Sequence, residues 1–474
     1  MSLTKPQSGR DRFFILLTLI LAIYTCRWII LALNQYDGSL FTQPINMIVF
    51  IVTFVLYLLR FRSNNIFCFE LIFIPCFFVS FFYDGIIDES QLGVLLPAFR
   101  SNALTNPELL AKSACLNMVG YLCFLWGLAF ANRKEYPRNN KFVSNEVSIY
   151  GVNVSIASRV VCVMLLILIV QLAASGAFNS WFYYGGDYLG EIINIRKGTL
   201  TCLVIICTYF EFLRLNTLKV HSFKVFILSV NELYLGEIIL LSLLLLLSGN
   251  RGDAMYIFMP PLVAYTVLIH KIRSSYILIG IAAGVLIMGV LGRTRVGESF
   301  VQAEGIYTFI RDFGAIKVDC DYLIHYCDLN GPNYLNDALP DIISGIPFLG
   351  GKIVNLMGYE ASGSPVIATE GLQIASATSG LGTSLVGDLY YCGKTPLTII
   401  GLFLLGYLVS YLYNILYIYK SSKSWEFVLY LLFMSNCAYY IRDMWYSPLP
   451  LLVYEMTIIV CIRLLISRRL STNT

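Results

Sequence analysis

Long runs of apolar residues recur from one end of this chain to the other, and nothing in the sequence limits its fold more. A helix rising 1.5 Å per residue crosses roughly 30 Å of hydrocarbon in about 20 residues. About twelve segments meet that length: 13–34, 44–60, 66–83, 113–132, 157–175, 198–214, 227–247, 254–270, 275–291, 395–418, 425–441 and 448–466. Backbone groups in lipid must be satisfied within their own segment, so the runs predict helices; a barrel would show short alternating strands. The expected fold is an all-α integral membrane protein of about twelve transmembrane helices. Composition agrees, with 57% hydrophobic and 13% charged residues, where soluble domains hold roughly 45–50% and 25%. A net charge of +4, scattered and without a run of like charges, argues against a nucleic-acid partner.

Lys and Arg set the orientation. With the amino terminus in the cytoplasm, Arg60 and Arg62, Arg133 to Lys141, Arg214 to Lys224, Lys271 and Arg273, and Lys420 and Lys423 all fall on the cytoplasmic side. That is about 18 positive residues inside against roughly 6 in the short outer connections. Both termini are therefore expected in the cytoplasm. The first run contains Arg27 and Trp28 and lacks a small-x-small exit, so it reads as an uncleaved span. The chain divides into spans one to nine (1–291), a large extracytoplasmic loop between spans nine and ten (292–394), and spans ten to twelve with a cytoplasmic tail (395–474). A loop of that length is expected to carry function rather than merely to connect. No fixed-period repeat and no matching halves are visible, which weakens a transporter reading.

The thirteen cysteines mostly stand singly in apolar runs, as small hydrophobes, and no CxxC pair points to zinc or redox chemistry. If their segment is helical, Cys320 and Cys327 lie about 10 Å apart along the axis, too far for a disulfide. Polar residues collect on the outer side. SGNRGD places Arg251 and Asp253 between spans seven and eight, in residues that are also good turn formers. GRTRVGES places Arg293 and Arg295 directly after span nine, and Arg311 follows. Guanidinium groups present a planar fork of donors that matches phosphate, so the set points to an anionic substrate; headgroup anchoring is the simpler role for any one of them. Of three histidines only His325 lies outside, in VDCDYLIHYCD near Asp319, Asp321 and Asp328. An imidazole beside carboxylates can act as a general base, although a plain surface histidine is commoner. Asp-x-Asp without a third ligand is weak evidence for a metal, and none is expected. Within spans, Arg27, Glu211, Glu232, Glu237 and Glu455 mark either a pathway or structural pairing, with pairing slightly ahead.

The architecture, the SGNRGD turn and the stretch GLGTSLVGDLYYCGKTPL before span ten together resemble the O-antigen polymerase (Wzy) family, the polymerases of oligosaccharide repeat units. The family has a Gly/Ser-Arg-Gly turn between adjacent spans. It also has a small-residue stretch followed by an acidic residue, Tyr-Tyr and Gly; here Asp388 stands where glutamate is expected. The resemblance implies a cofactor-free enzyme of the bacterial inner membrane. It would transfer a growing glycan from undecaprenyl diphosphate to a lipid-linked repeat unit at the periplasmic face, alongside a chain-length regulator and flippase. On that reading Arg251, Arg293, Arg295 and Arg311 hold the diphosphate, and His325 or, second, Asp388 is the base. The rival readings are an O-antigen ligase, which shares the leaving group, and a carrier or flippase. A structural protein without substrate would leave the outer arginines unexplained.

Overall fold

The structure, a computed structural model, describes residues 8–33, 42–61, 67–82, 106–133, 154–175, 190–218, 220, 222–247, 251–270, 272, 306–347, 349–358, 363–371, 382–419 and 425–471. The amino-terminal helices are α1 (Ser8–Ala32), α2 (Thr42–Phe61), α3 (Phe69–Phe81), α4 (Pro107–Arg133), α5 (Val154–Ala174) and α6 (Gly190–Thr217). Then come α7 (Phe223–Ser229), α8 (Glu232–Leu247) and α9 (Arg251–Ala264), which a π-turn extends over Tyr265–Ile269. They are followed by α10 (Ile306–Asn330), α11 (Ala338–Ser344), α12 (Gly350–Leu356) and α13 (Ser364–Gly371). The chain closes with α14 (Leu385–Tyr419), α15 (Trp425–Ser435), a 3₁₀ turn at Tyr440–Arg442 and α16 (Pro448–Ser471). Every described element is helical, and the protein is a helical membrane protein.

Among the described residues six helices are long and apolar enough to cross a bilayer: 12–32, 44–61, 107–132, 154–174, 198–216 and 385–416. The expected span at 227–247 appears instead as α7 and α8, bent by 101° at their junction. The segments expected at 66–83, 254–270, 425–441 and 448–466 hold shorter apolar helices. The expected span at 275–291 lies outside the described residues. Within 292–394, where a large loop is expected, the chain forms the 25-residue α10 and three short helices.

Two inner helices organise the packing. The apolar window of α4 is 89% buried and that of α6 is 83% buried, against 28% in α1 and 22% in α2. α4 packs against α1, α2, α10 and α14, while α6 packs against α5, α9, α15 and α16. The outward faces of α1, α2 and α5 carry exposed Ile, Leu and Val, such as Ile15, Leu19, Ile48 and Ile167, as lipid contact demands. α4 and α14 meet backbone to backbone. A Cβ on Gly406 would lie 2.2 Å from the Phe124 carbonyl oxygen, and one on Gly127 would lie 2.1 Å from that of Phe403. Small residues at such crossings let membrane helices approach closely, since lipid offers no hydrophobic force to press them together.

The bend between α7 and α8 rests on one buried acid. Glu211 of α6 accepts from Arg214 (2.6 Å), the Ser158 hydroxyl (2.7 Å) and the Asn231 backbone N–H (2.8 Å). Arg214 also donates to the Ser229 carbonyl at 2.5 Å, and the Asn231 side chain accepts from the Leu233 N–H, starting α8. This is the structural pairing expected of a span carboxylate. Glu237 and Glu455 differ: both are buried, and neither has a hydrogen bond to another described residue.

α14 begins ten residues earlier than the expected span ten. Ser384 caps it, accepting from the Gly387 N–H at 3.3 Å, and Asp388 lies in its first turn, where an acidic side chain opposes the helix dipole favourably. The helix is broken at Gly393 and Lys394, and Pro396 follows. Lys394 has φ 56° and ψ −156°, a region essentially reserved for glycine, at a cost of order 1–3 kcal/mol.

Candidate functional site

The stretch quoted for the family resemblance folds into the start of α14, and three other segments converge on it. Asp388 is 1% exposed. Its Oδ1 accepts from the Ser364 hydroxyl of α13 at 2.5 Å, and its Oδ2 accepts from the Trp445 backbone N–H at 3.0 Å. The Thr383 hydroxyl donates to Ser364 at 3.0 Å, and the Thr383 N–H donates to the Arg442 carbonyl at 3.3 Å. One carboxylate thus joins α14 to α13 and to the turn between α15 and α16.

That turn, YYIRDMWYS, is stabilised internally. The Asn436 amide donates to Asp443 Oδ2 at 2.8 Å, the Met444 N–H donates to Asp443 Oδ1 at 3.0 Å, and the Tyr440 hydroxyl donates to the Trp445 carbonyl at 2.7 Å. Arg442 lies against Gly382, whose φ is +90°; a Cβ there would come within 3.1 Å of Arg442 Cγ and Nε. Glycine at 382 therefore serves both the turn of the backbone and the space for the guanidinium.

α10 supplies the remaining charged side chains. Ile316, Cys320, Leu323, Ile324 and Cys327 are buried at helical spacing, and Gly387 of α14 packs on Cys320 and Leu323. Lys317, Asp319 and Asp321 are also buried. Asp319 is fully buried, and neither of its carboxyl oxygens is hydrogen-bonded to another described residue. Burial pushes its carboxyl up to about 8; Asp321 adds to the rise and Arg442 opposes it. Just before α11, the Asn333 amide donates to Asp337, and on α11 Asp341 is raised to about 6 by burial, then by Asp443 and Asp337. Asp443 and Asp337 also lie within electrostatic reach of Asp388. The result is a largely buried group of six carboxyls, Asp319, Asp321, Asp337, Asp341, Asp388 and Asp443, with Arg442 within electrostatic reach of Asp319. Carboxyls held near neutral pKa beside a fixed cation can exchange protons and bind an anion. Among the described residues no three His, Cys, Asp or Glu side chains are grouped to hold a metal.

Beside this group Tyr390 donates to Asp328 at 2.7 Å, and Lys112 pairs with the other oxygen of Asp328 at 2.9 Å. Cys320 and Cys327 are separate free thiols, one near Asn117 and the other donating to the Tyr390 carbonyl.

Of the residues singled out from the sequence, Asp388 lies within the carboxyl group. His325 is half-buried on α10, one turn beyond Asp321, with no hydrogen bond to another described residue. Arg251 opens α9 rather than sitting within a turn, and Arg311 lies in α10; the side chains of both are outside the described residues, as are Arg293 and Arg295 entirely. Sequence reasoning missed Arg442, Asp443, Ser364, Asp337 and Asp341. The signal for Arg442 was present: like Arg251, it is an arginine in a short connection on the side expected to be poor in positive charge. No family model, curated protein or solved structure matches this chain.

Proposed function

We propose that this protein polymerises undecaprenyl-diphosphate-linked oligosaccharide repeat units into O-antigen or a related surface polysaccharide. The observation that carries the reading is the environment of Asp388. The acidic residue of the family-like stretch joins the turn bearing Arg442 to α13, within electrostatic reach of Asp443 and Asp337. In this reading the chain crosses the inner membrane twelve times, with both termini cytoplasmic and the carboxyl group toward the periplasm. A hydroxyl of the incoming lipid-linked repeat unit attacks the anomeric carbon of the growing glycan. The new C–O bond forms as the bond from that carbon to the diphosphate oxygen breaks, and the diphosphate leaves on its lipid. Arg442 joins Arg251, Arg293, Arg295 and Arg311 in stabilising the negative charge on the leaving group. Asp388 is a positioning residue, because one of its oxygens is engaged by Ser364 of α13 and the other by the Trp445 N–H of the turn. Asp319, whose oxygens accept no hydrogen bond from another described residue, takes the hydroxyl proton; His325 is the other candidate base.

Deletion of the gene in its own host, followed by electrophoresis of extracted lipopolysaccharide, tests this. A ladder collapsing to core plus one repeat unit, restored by the intact gene but not by Arg442→Ala at equal protein level, is the expected result. Loss of all O-antigen from the core with polymer retained on the carrier would identify a ligase. An unchanged ladder would remove both O-antigen readings.

A further inference from the structure

The segment that carries α11 and α12 has the reverse polarity of a surface that meets water. Its acids face the protein: Asp337 is buried and within electrostatic reach of Asp388, and Asp341 is within reach of Asp443. Its large apolar side chains face outward, with Tyr334 74% exposed, Leu339 and Leu349 57%, Leu356 88% and Met357 51%. Among the described residues of 331–358, Lys352 is the one exposed charged side chain. Tyr334 and Leu335 sit at φ 49° and 68°, the left-handed region that favours glycine, so strained backbone holds an aromatic ring where it buries little. An apolar surface of this extent marks a contact.

The height of the segment identifies what covers it. Near its start the Asn333 N–H donates to the Tyr391 carbonyl at 2.9 Å. The neighbouring Tyr390 donates to Asp328, which pairs with Lys112 in the second turn of α4, and the Tyr390 ring meets Trp28, four residues before the end of α1. Further along, a Cβ on Gly345 would lie 2.3 Å from the Pro450 carbonyl oxygen. Leu451, the next residue, accepts from Cys202 at 3.7 Å and lies against Gly198, where the apolar window of α6 begins. Both attachments are therefore level with the ends of three apolar spans, where hydrocarbon gives way to headgroups.

We infer that the exposed apolar side chains of α11, α12 and the turn before them lie in the membrane surface, among the headgroups and upper acyl chains of the phospholipid leaflet at that end of the bundle. Two features favour lipid over a protein partner. The surface stands at the height where spans end, which a protein partner would not require, and its one exposed charge is a cation, which suits phosphate headgroups. The inference does not depend on the polymerase reading. Its consequence is that Asp337 and Asp341 are held toward the carboxyl group by a segment braced on lipid.

Tyr334→p-benzoylphenylalanine and Leu356→p-benzoylphenylalanine, made one at a time, test it, since both side chains are mostly exposed and the changes disturb little packing. The full-length protein is placed in nanodiscs of phosphatidylethanolamine and phosphatidylglycerol, irradiated, and weighed intact by mass spectrometry. Ile48→p-benzoylphenylalanine, on the lipid-facing side of α2, sets the benchmark. Leu349→p-benzoylphenylalanine replaces either variant whose thermal midpoint falls below that of the wild type. Phospholipid adducts at both positions, each at least about one fifth of the Ile48 yield, are the expected result. A lower yield at either position would overturn the inference. A covalent dimer in place of the lipid adduct would assign the surface to a second copy of the chain and overturn it equally.

Discussion

At Asp319 the protein buries a carboxyl completely and gives it no hydrogen bond from another described residue, so solvation rather than pairing governs its charge. Its pKa is raised from 3.8 to about 8, chiefly by burial, with Arg442 the opposing influence. A carboxyl whose folded pKa exceeds its unfolded value stabilises the fold most when protonated, and that contribution fades as pH rises through the folded value. The thermal midpoint is therefore expected to decline between about pH 6 and 8 in the wild type and much less in Asp319→Asn, as scanning fluorimetry across pH would read. If Asp319 accepts the proton, initial rates should climb over the same interval. Arg442→Gln should move that rise to higher pH and lower the maximum rate by about 10²–10³-fold, the usual loss for one donor to a developing anion. A flat midpoint in both proteins would mean Asp319 is paired by a group that neutralises it. Asp388 was legible from the sequence because it sits in a stretch of family-like pattern. Its partners Ser364 and Trp445 were not, since they lie 24 and 57 positions away and carry no pattern of their own.

For whole elements, apolar length predicted position better than extent. The six long helices lie where hydropathy expects them, but α14 starts at Leu385, because Gly382 to Asp388 reads as loop by composition while Ser384 and Asp388 act as an N-terminal cap and first turn. The same stretch therefore contained the helix-start signal, hidden among its glycines. The bend between α7 and α8 was not legible either, since it depends on Glu211 reaching the Asn231 N–H from another helix. Glu211→Ala leaves Arg214 without its acid partner and the Asn231 N–H without its acceptor, and a loss of about 3–5 kcal/mol is expected. Denaturant titration of the detergent-solubilised protein measures it; a loss below about 1 kcal/mol, as at a solvated surface pair, would show the bend is held by packing. At the α4–α14 crossing, Gly406→Val forces the two backbones apart and is expected to destabilise by at least about 1–3 kcal/mol. Gly236→Ala, whose added Cβ would meet nothing within 4 Å, serves as the control in the same melting series.

Across the whole molecule, the two inner helices divide the charged side chains into groups with different consequences. Around α4 lie the helices that carry Asp319 and Asp388; around α6 lie α9, α15 and α16, and α16 carries Glu455. Glu455 is fully buried with neither oxygen hydrogen-bonded to another described residue, and Glu237 of α8 is in the same condition. Unpartnered acids within a bundle are what a carrier uses to move protons or cations, whereas a polymerase acting at one end of the bundle has no need of them. The two readings thus predict opposite results for Glu455→Gln, which keeps shape and removes the ionisable oxygen. If the protein polymerises, the variant should leave the lipopolysaccharide ladder unchanged and gain about 1–3 kcal/mol, because a neutral amide costs less to bury than a carboxyl without a partner. If it moves a substrate through the bundle, the ladder or whatever polymer depends on it should fail while the thermal midpoint rises by the same amount. Stability alone cannot separate the readings, so the ladder and the midpoint must come from the same preparation of cells. A lost ladder with a raised midpoint would move the functional centre from the end of the bundle to its interior.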